Sequence, residues 1–166
     1  MYIQQTRVRI LVETGRRDEA EAMALESLEV RRRTTPREEG TGRTLLHLGQ
    51  VLVEKGRLDE AGLFLQEALA LFREHYAMKP ELAAQAANWL GTIQTAQGAY
   101  PEAEALLLSN PQVFSTLAAA MSPAEKRTAI GHIVKLYQAW NKPEQAAAWQ
   151  KKLDELAKPQ ISAKAQ

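Results

Sequence analysis

The sequence predicts an all-α chain, a solenoid of about four stacked helix-turn-helix repeats, and three observations predict it. A turn followed by an acidic or Pro-Glu step and an alanine is written four times: TGRRDEAEAMA from Thr14, KGRLDEAGLFL from Lys55, QGAYPEAEALL from Gln97 and WNKPEQAAAWQ from Trp140. The residues at the centre of those turns, Gly15, Gly56, Gly98 and Asn141, are separated by 41, 42 and 43 residues. Gly and Asn most readily take the left-handed conformation that ends a helix, so one period marks four equivalent corners. Between the corners, apolar residues recur at a spacing of three and four and β-branched runs are scarce, the pattern of amphipathic helices.

Element by element, helices are predicted over 2–14 and 17–33, 41–55 and 58–76, 81–97 and 100–108, 123–140 and 143–157, with an extra helix near 111–121. Asp59, Pro101 and Pro143 fall in first turns, where a carboxylate suits the helix dipole and a missing N–H costs little. Pro36 and Pro80 punctuate the connections between repeats. Ala20, Ala61, Ala103 and Ala146 each follow a corner by five residues, where a larger side chain would push paired helices apart. Gly49 and Gly91 precede two corners by seven residues. A glycine inside a helix costs about 1 kcal/mol against alanine, so a packing reason is expected: Gly49 facing Ala61 and Gly91 facing Ala103. One array is thus expected over 1–158, in repeats of about 1–35, 41–78, 81–121 and 123–157, with 159–166 a disordered tail.

A chain of 166 residues is long enough to bury a sizeable core without a staple. Its 21 Lys+Arg against 20 Asp+Glu give none of the field expected of a nucleic-acid or membrane binder. The absence of cysteine removes disulfides, thiolate metal sites and cysteine nucleophiles, and fits a reducing compartment. MYIQQTRVRILVETG lacks the basic region and long apolar core of a signal peptide, and no apolar run approaches the ~20 residues that span a bilayer. The expected setting is cytoplasmic.

These residues resemble the tetratricopeptide repeat, whose signature has Leu-Gly in the first helix, Gly at the turn and Ala early in the second. Leu48, Gly49, Leu52, Gly56, Ala61 and Ala68 fit it in the second repeat, and Leu90, Gly91, Gly98, Tyr100 and Ala103 in the third. The period near 42, with Asn88 just before WLG, is similar to the longer variety of kinesin light chains and of bacterial multidomain signalling proteins. IVKLYQAWNKPEQAAAWQKKL is similar to the last repeat of arrays that follow bacterial serine/threonine kinase domains. The first repeat departs from the signature, with Arg7-Val8 in place of Leu-Gly, and the third breaks at Ser109–Pro111. The resemblance implies a right-handed superhelix whose first helices line a concave wall. On that wall the family pattern places Arg9, Arg43, Gln50, Gln85, Asn88, Thr92 and Lys135 as peptide-binding residues, while Leu48, Leu90 and Ile133 turn inward.

The sequence carries no recognisable catalytic or metal-binding motif. EGTGRT, Glu39 to Thr44, lacks the preceding strand and the Gly-Lys-Ser/Thr ending of a phosphate loop, and reads as an inter-repeat loop and helix start. His47, His75 and His132 have no second ligand at metal spacing and no paired nucleophile. His47 and His132 each precede a corner by nine residues, as equivalent surface or groove residues. Arg31-Arg32-Arg33 with Arg37 reads as a solvated helix end, and Trp89, Trp140 and Trp149 as core residues. The expected function is a non-enzymatic, cofactor-free scaffold that binds a peptide or partner domain, with no nucleic acid and no membrane. A regulatory module sensing a small molecule or partner for a bacterial kinase or transcription regulator is the alternative. Tyr2, Ile3, Val8, Ile10, Leu11 and Val12 have no earlier helix to cover them, which predicts either a longer array or a homodimer through the N-terminal repeats.

Overall fold

The computed structural model describes residues 2–108 and 122–157. The described chain holds eight helices: α1 Tyr2–Glu13, α2 Arg17–Thr34, α3 Glu39–Glu54, α4 Leu58–His75, α5 Pro80–Ala96, α6 Tyr100–Leu108, α7 Pro123–Ala139 and α8 Pro143–Ala157. The helix expected near 111–121 and the tail at 159–166 lie outside the described residues. Odd helices pack in succession, α1 on α3, α3 on α5 and α5 on α7, while α2, α4 and α6 each pack between their own partner and the next odd helix, and α8 packs on α7. This is the two-layer stacking of an α-solenoid.

The four corners are one structure repeated. Gly15, Gly56, Gly98 and Asn141 have φ of 74°, 77°, 78° and 55°. In each, the next residue donates its N–H back to the carbonyl five positions earlier, Arg16 to Leu11, Arg57 to Leu52, Ala99 to Gln94 and Lys142 to Tyr137, all at 2.9 Å. That bond satisfies a carbonyl the ending helix would otherwise strand. The recurrent alanine then closes the first turn of the second helix, with N–H bonds of 2.9–3.0 Å from Ala20, Ala61, Ala103 and Ala146. All four alanines are buried.

The mid-helix glycines have a different partner from the expected one. A Cβ on Gly49 would lie 2.4 Å from Leu65 Cγ, and one on Gly91 would lie 2.6 Å from Leu107 Cγ. Each glycine therefore receives the leucine one turn beyond the alanine, and only Gly91 also approaches the Ala103 carbonyl, at 3.4 Å from its would-be Cβ. The same register explains the first repeat's departure from Leu-Gly. Val8 stands at the glycine position and Ala24 at the leucine position, both buried in the same core cluster. The bulk has changed sides of the seam and the volume is kept, the kind of swap cores tolerate best.

Three other expectations are corrected. EGTGRT is helical from Glu39 onward, and Gly42 is small because its Cβ would meet Phe72 Cε1 at 2.4 Å. Arg31 is 4% exposed rather than solvated, its Nε donating to Ser27 Oγ at 3.3 Å, whereas Arg32 and Arg33 reach Glu67 and Glu29 at the surface. Val8, Leu11 and Val12 are buried against their own array, so among the described side chains the uncovered apolar face expected of α1 reduces to Ile10, 46% exposed. The side chains of Tyr2 and Ile3 lie outside those described. Apolar burial falls into two clusters, a large one running from α1 to α5 and a smaller one in α6, α7 and α8. Trp89, Trp140 and Trp149 are half-buried at their rims.

Candidate functional site

The odd helices carry two rows of side chains in register with the corners. Arg9, Gln50, Thr92 and Lys135 form one row, and Thr6, His47, Trp89 and His132 the other; both repeat at 41, 42 and 43 residues. The inward-facing neighbours Leu48, Leu90 and Ile133 are buried; the first row lies about 160° round each helix from them and the second about 100°, with His132 itself buried. Arg9 and Lys135 are exposed and Arg43, Gln50, Gln85, Asn88 and Thr92 are half-buried.

The seven site residues fall into two groups. In the first, Arg9 and Arg43 flank His47. Burial, reinforced by those two cations, pushes the His47 imidazole down to about 4, so the ring is neutral at pH 7. Its Nδ1 is buried with no partner among the described residues. Arg43 donates from Nε to Glu39 Oε1 at 2.7 Å, and Lys79 pairs with the same carboxylate. Lys79 and then Arg43 hold the Glu39 carboxyl below the usual carboxylate range. Gln50 Nε2 reaches Glu54 Oε1 at 3.5 Å, and Glu54 in turn accepts from Arg17 Nε at 2.9 Å.

In the second group, α7 holds two amides of α5. Asn88 Oδ1 and His132 Nδ1 lie 2.5 Å apart, a contact in which the neutral ring donates with its proton on Nδ1. The same imidazole meets Trp89 edge to face, centroids 4.7 Å apart and planes at 68°. Burial, with the Lys135 charge added, pushes His132 down to about 4. Gln85 Nε2 donates to Glu125 Oε1 at 3.0 Å. The other oxygen of Glu125 accepts from the Ser122 N–H at 2.7 Å, while Ser122 Oγ accepts from the Glu125 N–H at 3.3 Å. This capping box fixes the start of α7 and holds the carboxylate that orients Gln85. Thr92 donates its hydroxyl to the Asn88 carbonyl at 3.2 Å. Lys135 stands beside His132 as an exposed cation.

His132, Trp89 and Glu125 belong to this arrangement although the sequence reading did not assign them to it. Ser-x-x-Glu at 122–125 was a legible signal for the cap; the pairing of Asn88 with a residue 44 positions away had none. Gly131 shares Asn88's register one repeat on, and a Cβ there would meet no described residue within 4 Å. Among the described residues no group of three or more His, Cys, Asp or Glu could hold a metal. None of the described helices is long and apolar enough to cross a membrane.

Two family models, both described as tetratricopeptide repeat, match residues 5–74 and 65–109. Together they cover more than half of the chain, which belongs to the tetratricopeptide-repeat family. Among solved structures it is similar to the crystal structure of BtubC (BKLC) from P. vanneervenii, with a TM-score of 0.73 at 16% identity, covering 99% of this chain and 68% of that one. At that identity the likeness concerns the fold. No curated protein matches the chain. Repeats of this family serve in general as protein-interaction scaffolds.

Proposed function

We propose that the protein is a non-enzymatic scaffold that binds a segment of another protein along the concave wall formed by α1, α3, α5 and α7. The contacts assigned are Arg9, Arg43, Gln50, Gln85, Asn88, Thr92 and Lys135. The observation that carries this reading is the placement of polar side chains on the face opposite buried Leu48, Leu90 and Ile133, with two amides held in fixed orientations by the neighbouring repeat. Polar groups immobilised before binding lower the ordering cost of recognition. A long preformed wall suits a peptide or an edge of a partner domain.

The test is capture of protein partners by Asn88→Ala and Arg43→Glu variants that melt like the parent. Partners recovered from a native lysate are re-measured one by one, and each variant is expected to lose affinity for at least one of them. Parent-like affinity in both variants for every partner would remove the wall as the site. A turnover screen that found hydrolase or transferase activity would remove the non-enzymatic reading.

A further inference from the structure

Buried polar groups gather where α2 ends and α3 begins. Ser27 and Arg31 stand at successive turns of one face of α2 and Thr35 continues the line past its end, in the register that Ala68, Phe72 and Tyr76 fill one repeat on. Arg31 is 4% exposed. A guanidinium has five N–H donors, and the described residues give this one a single acceptor, the Ser27 hydroxyl, 3.3 Å from Nε. Among the described residues no carboxylate pairs with it, since Glu67 and Glu29 are engaged by Arg32 and Arg33. One turn on, Thr35 Oγ1 is buried with no partner among the described residues. The Thr41 hydroxyl donates to the Thr35 carbonyl at 2.6 Å, which brings the start of α3, an end without a side-chain cap, to the same place.

A buried charge is costly unless it is paired and hydrogen-bonded. The dipole of α2 favours a cation in its last turn, yet the two Nη atoms of Arg31 still lack an acceptor among the described residues. Neither is sealed from solvent, unlike Thr35 Oγ1, so the fork ends at a narrow opening. We propose that the end of α2 is an oxyanion site, in which the Arg31 fork holds a free phosphate ion and the Thr35 hydroxyl turns to give it a further donor. A guanidinium takes two oxygens side by side, and the third oxygen that a carboxylate lacks answers the threonine. An opening that leaves so little of Arg31 exposed admits an ion and excludes a folded partner. The site lies on α2, outside both rows of the wall, and stands or falls apart from the wall reading.

The probe is inorganic phosphate, titrated into the whole chain at constant ionic strength and followed by calorimetry and amide nuclear magnetic resonance. One ion should bind with a Kd of about 1 mM or tighter, and the amides that shift should cluster between Ser27 and Gly42. Arg31→Met keeps an unbranched chain in the seam and should abolish binding. Thr35→Val keeps the shape of its side chain and should weaken binding severalfold. Arg32→Met and Arg33→Met change exposed neighbours and should bind like the parent. Acetate should bind more weakly than phosphate and equally in Thr35→Val and the parent, and methyl phosphate, one methyl group larger, should also bind more weakly.

A parent that gives no saturable signal overturns the inference, as does an Arg31→Met variant that folds and binds phosphate like the parent. If Arg31→Met does not fold, Thr35→Val decides, and parent-like affinity there overturns the site. Equal losses in Arg32→Met and Arg31→Met put the ion on the surface run and overturn it too. Methyl phosphate bound as tightly as phosphate overturns the free ion as the ligand, in favour of a monoester.

Discussion

The seam between the first two repeats and the seam between the last two solve the same packing problem with different chemistry. At the first, Glu21 accepts from Lys55 Nζ at 2.6 Å and from Arg57 Nη1 at 2.5 Å, Lys55 also reaches Asp18, Arg17 reaches Glu54 and Arg32 reaches Glu67. At the last, the described contacts are an Asn–His pair, a Gln–Glu pair, a Tyr137 hydroxyl donating to Glu104 at 2.7 Å, and Tyr100 stacked on Trp140 with the Lys142 ammonium 3.2 Å from the Trp140 centroid. The ion pairs of the first seam reach one neutral wall group, Gln50, whose amide lies 3.5 Å from the Glu54 carboxylate that Arg17 holds. Hydrogen bonds between side chains of α5 and α7 reach two, Asn88 and Gln85. The difference leaves the two amides bonded between repeats at the back of the array and the cations Arg9 and Arg43 at the front.

The largest expected effect is one on which both seams agree. His47 and His132 occupy the same register and both fall to about 4 in the folded protein, against an unfolded value near 6.5. Between those values the unfolded chain binds protons that the folded chain refuses, so stability is fully present above pH 6.5 and falls toward pH 4. Each histidine accounts for a loss of about 3 kcal/mol across that window. Denaturant unfolding at pH 7 and pH 4.5 should show the loss, and His47→Phe and His132→Phe should each flatten it. A parent whose stability is flat over this range would show the imidazoles to be solvated.

Next in size is the bulk exchanged across the paired helices. Gly49→Val should cost about 1–3 kcal/mol by driving a side chain into Leu65. Adding Leu65→Ala reproduces the Val8–Ala24 solution of the first repeat, and the double variant should be more stable than Gly49→Val alone. Strict additivity in thermal melts would mean that the two positions do not share a volume.

The smallest effect separates the seams. Glu21→Gln removes the acceptor shared by Lys55 and Arg57, and its melting difference from the parent should shrink as salt rises. Tyr137→Phe at the other seam removes a partly buried bond whose burial, followed by the bond to Glu104, pushes the phenol up to about 12. Its melting difference should be insensitive to salt. Equal salt dependence in the two variants would erase the distinction between the seams.

How much of this was legible in the sequence follows from the range of each interaction. The corners were legible because a left-handed residue and a small residue five positions later are local requirements, and all four appear where the period put them. The limits of the described helices followed within two residues for the same reason. The glycine partners were missed by one turn because Ala61 and Leu65 lie on the same helix face, and only the crossing geometry chooses between them. Arg31 was misread because a basic run at a helix end looks solvated unless one knows that its register is that of Phe72, the residue packed on Gly42. The placement of seven polar residues on the odd helices was readable from the family pattern. The tying of two of them by His132 and Glu125 was not, since it depends on the rise and turn between repeats.

The central claim is that the face bearing Asn88 receives a partner, and Gly131 offers the most direct test of it. Gly131 lies in Asn88's register on the next odd helix, and a Cβ there would meet no described residue within 4 Å. Replacing a mid-helix glycine also favours the helix, by several tenths of a kcal/mol for most residues. Gly131→Trp should therefore melt at or above the parent and lose binding to peptides selected on the parent. Full retention of that binding, with the indole in place, would contradict the account.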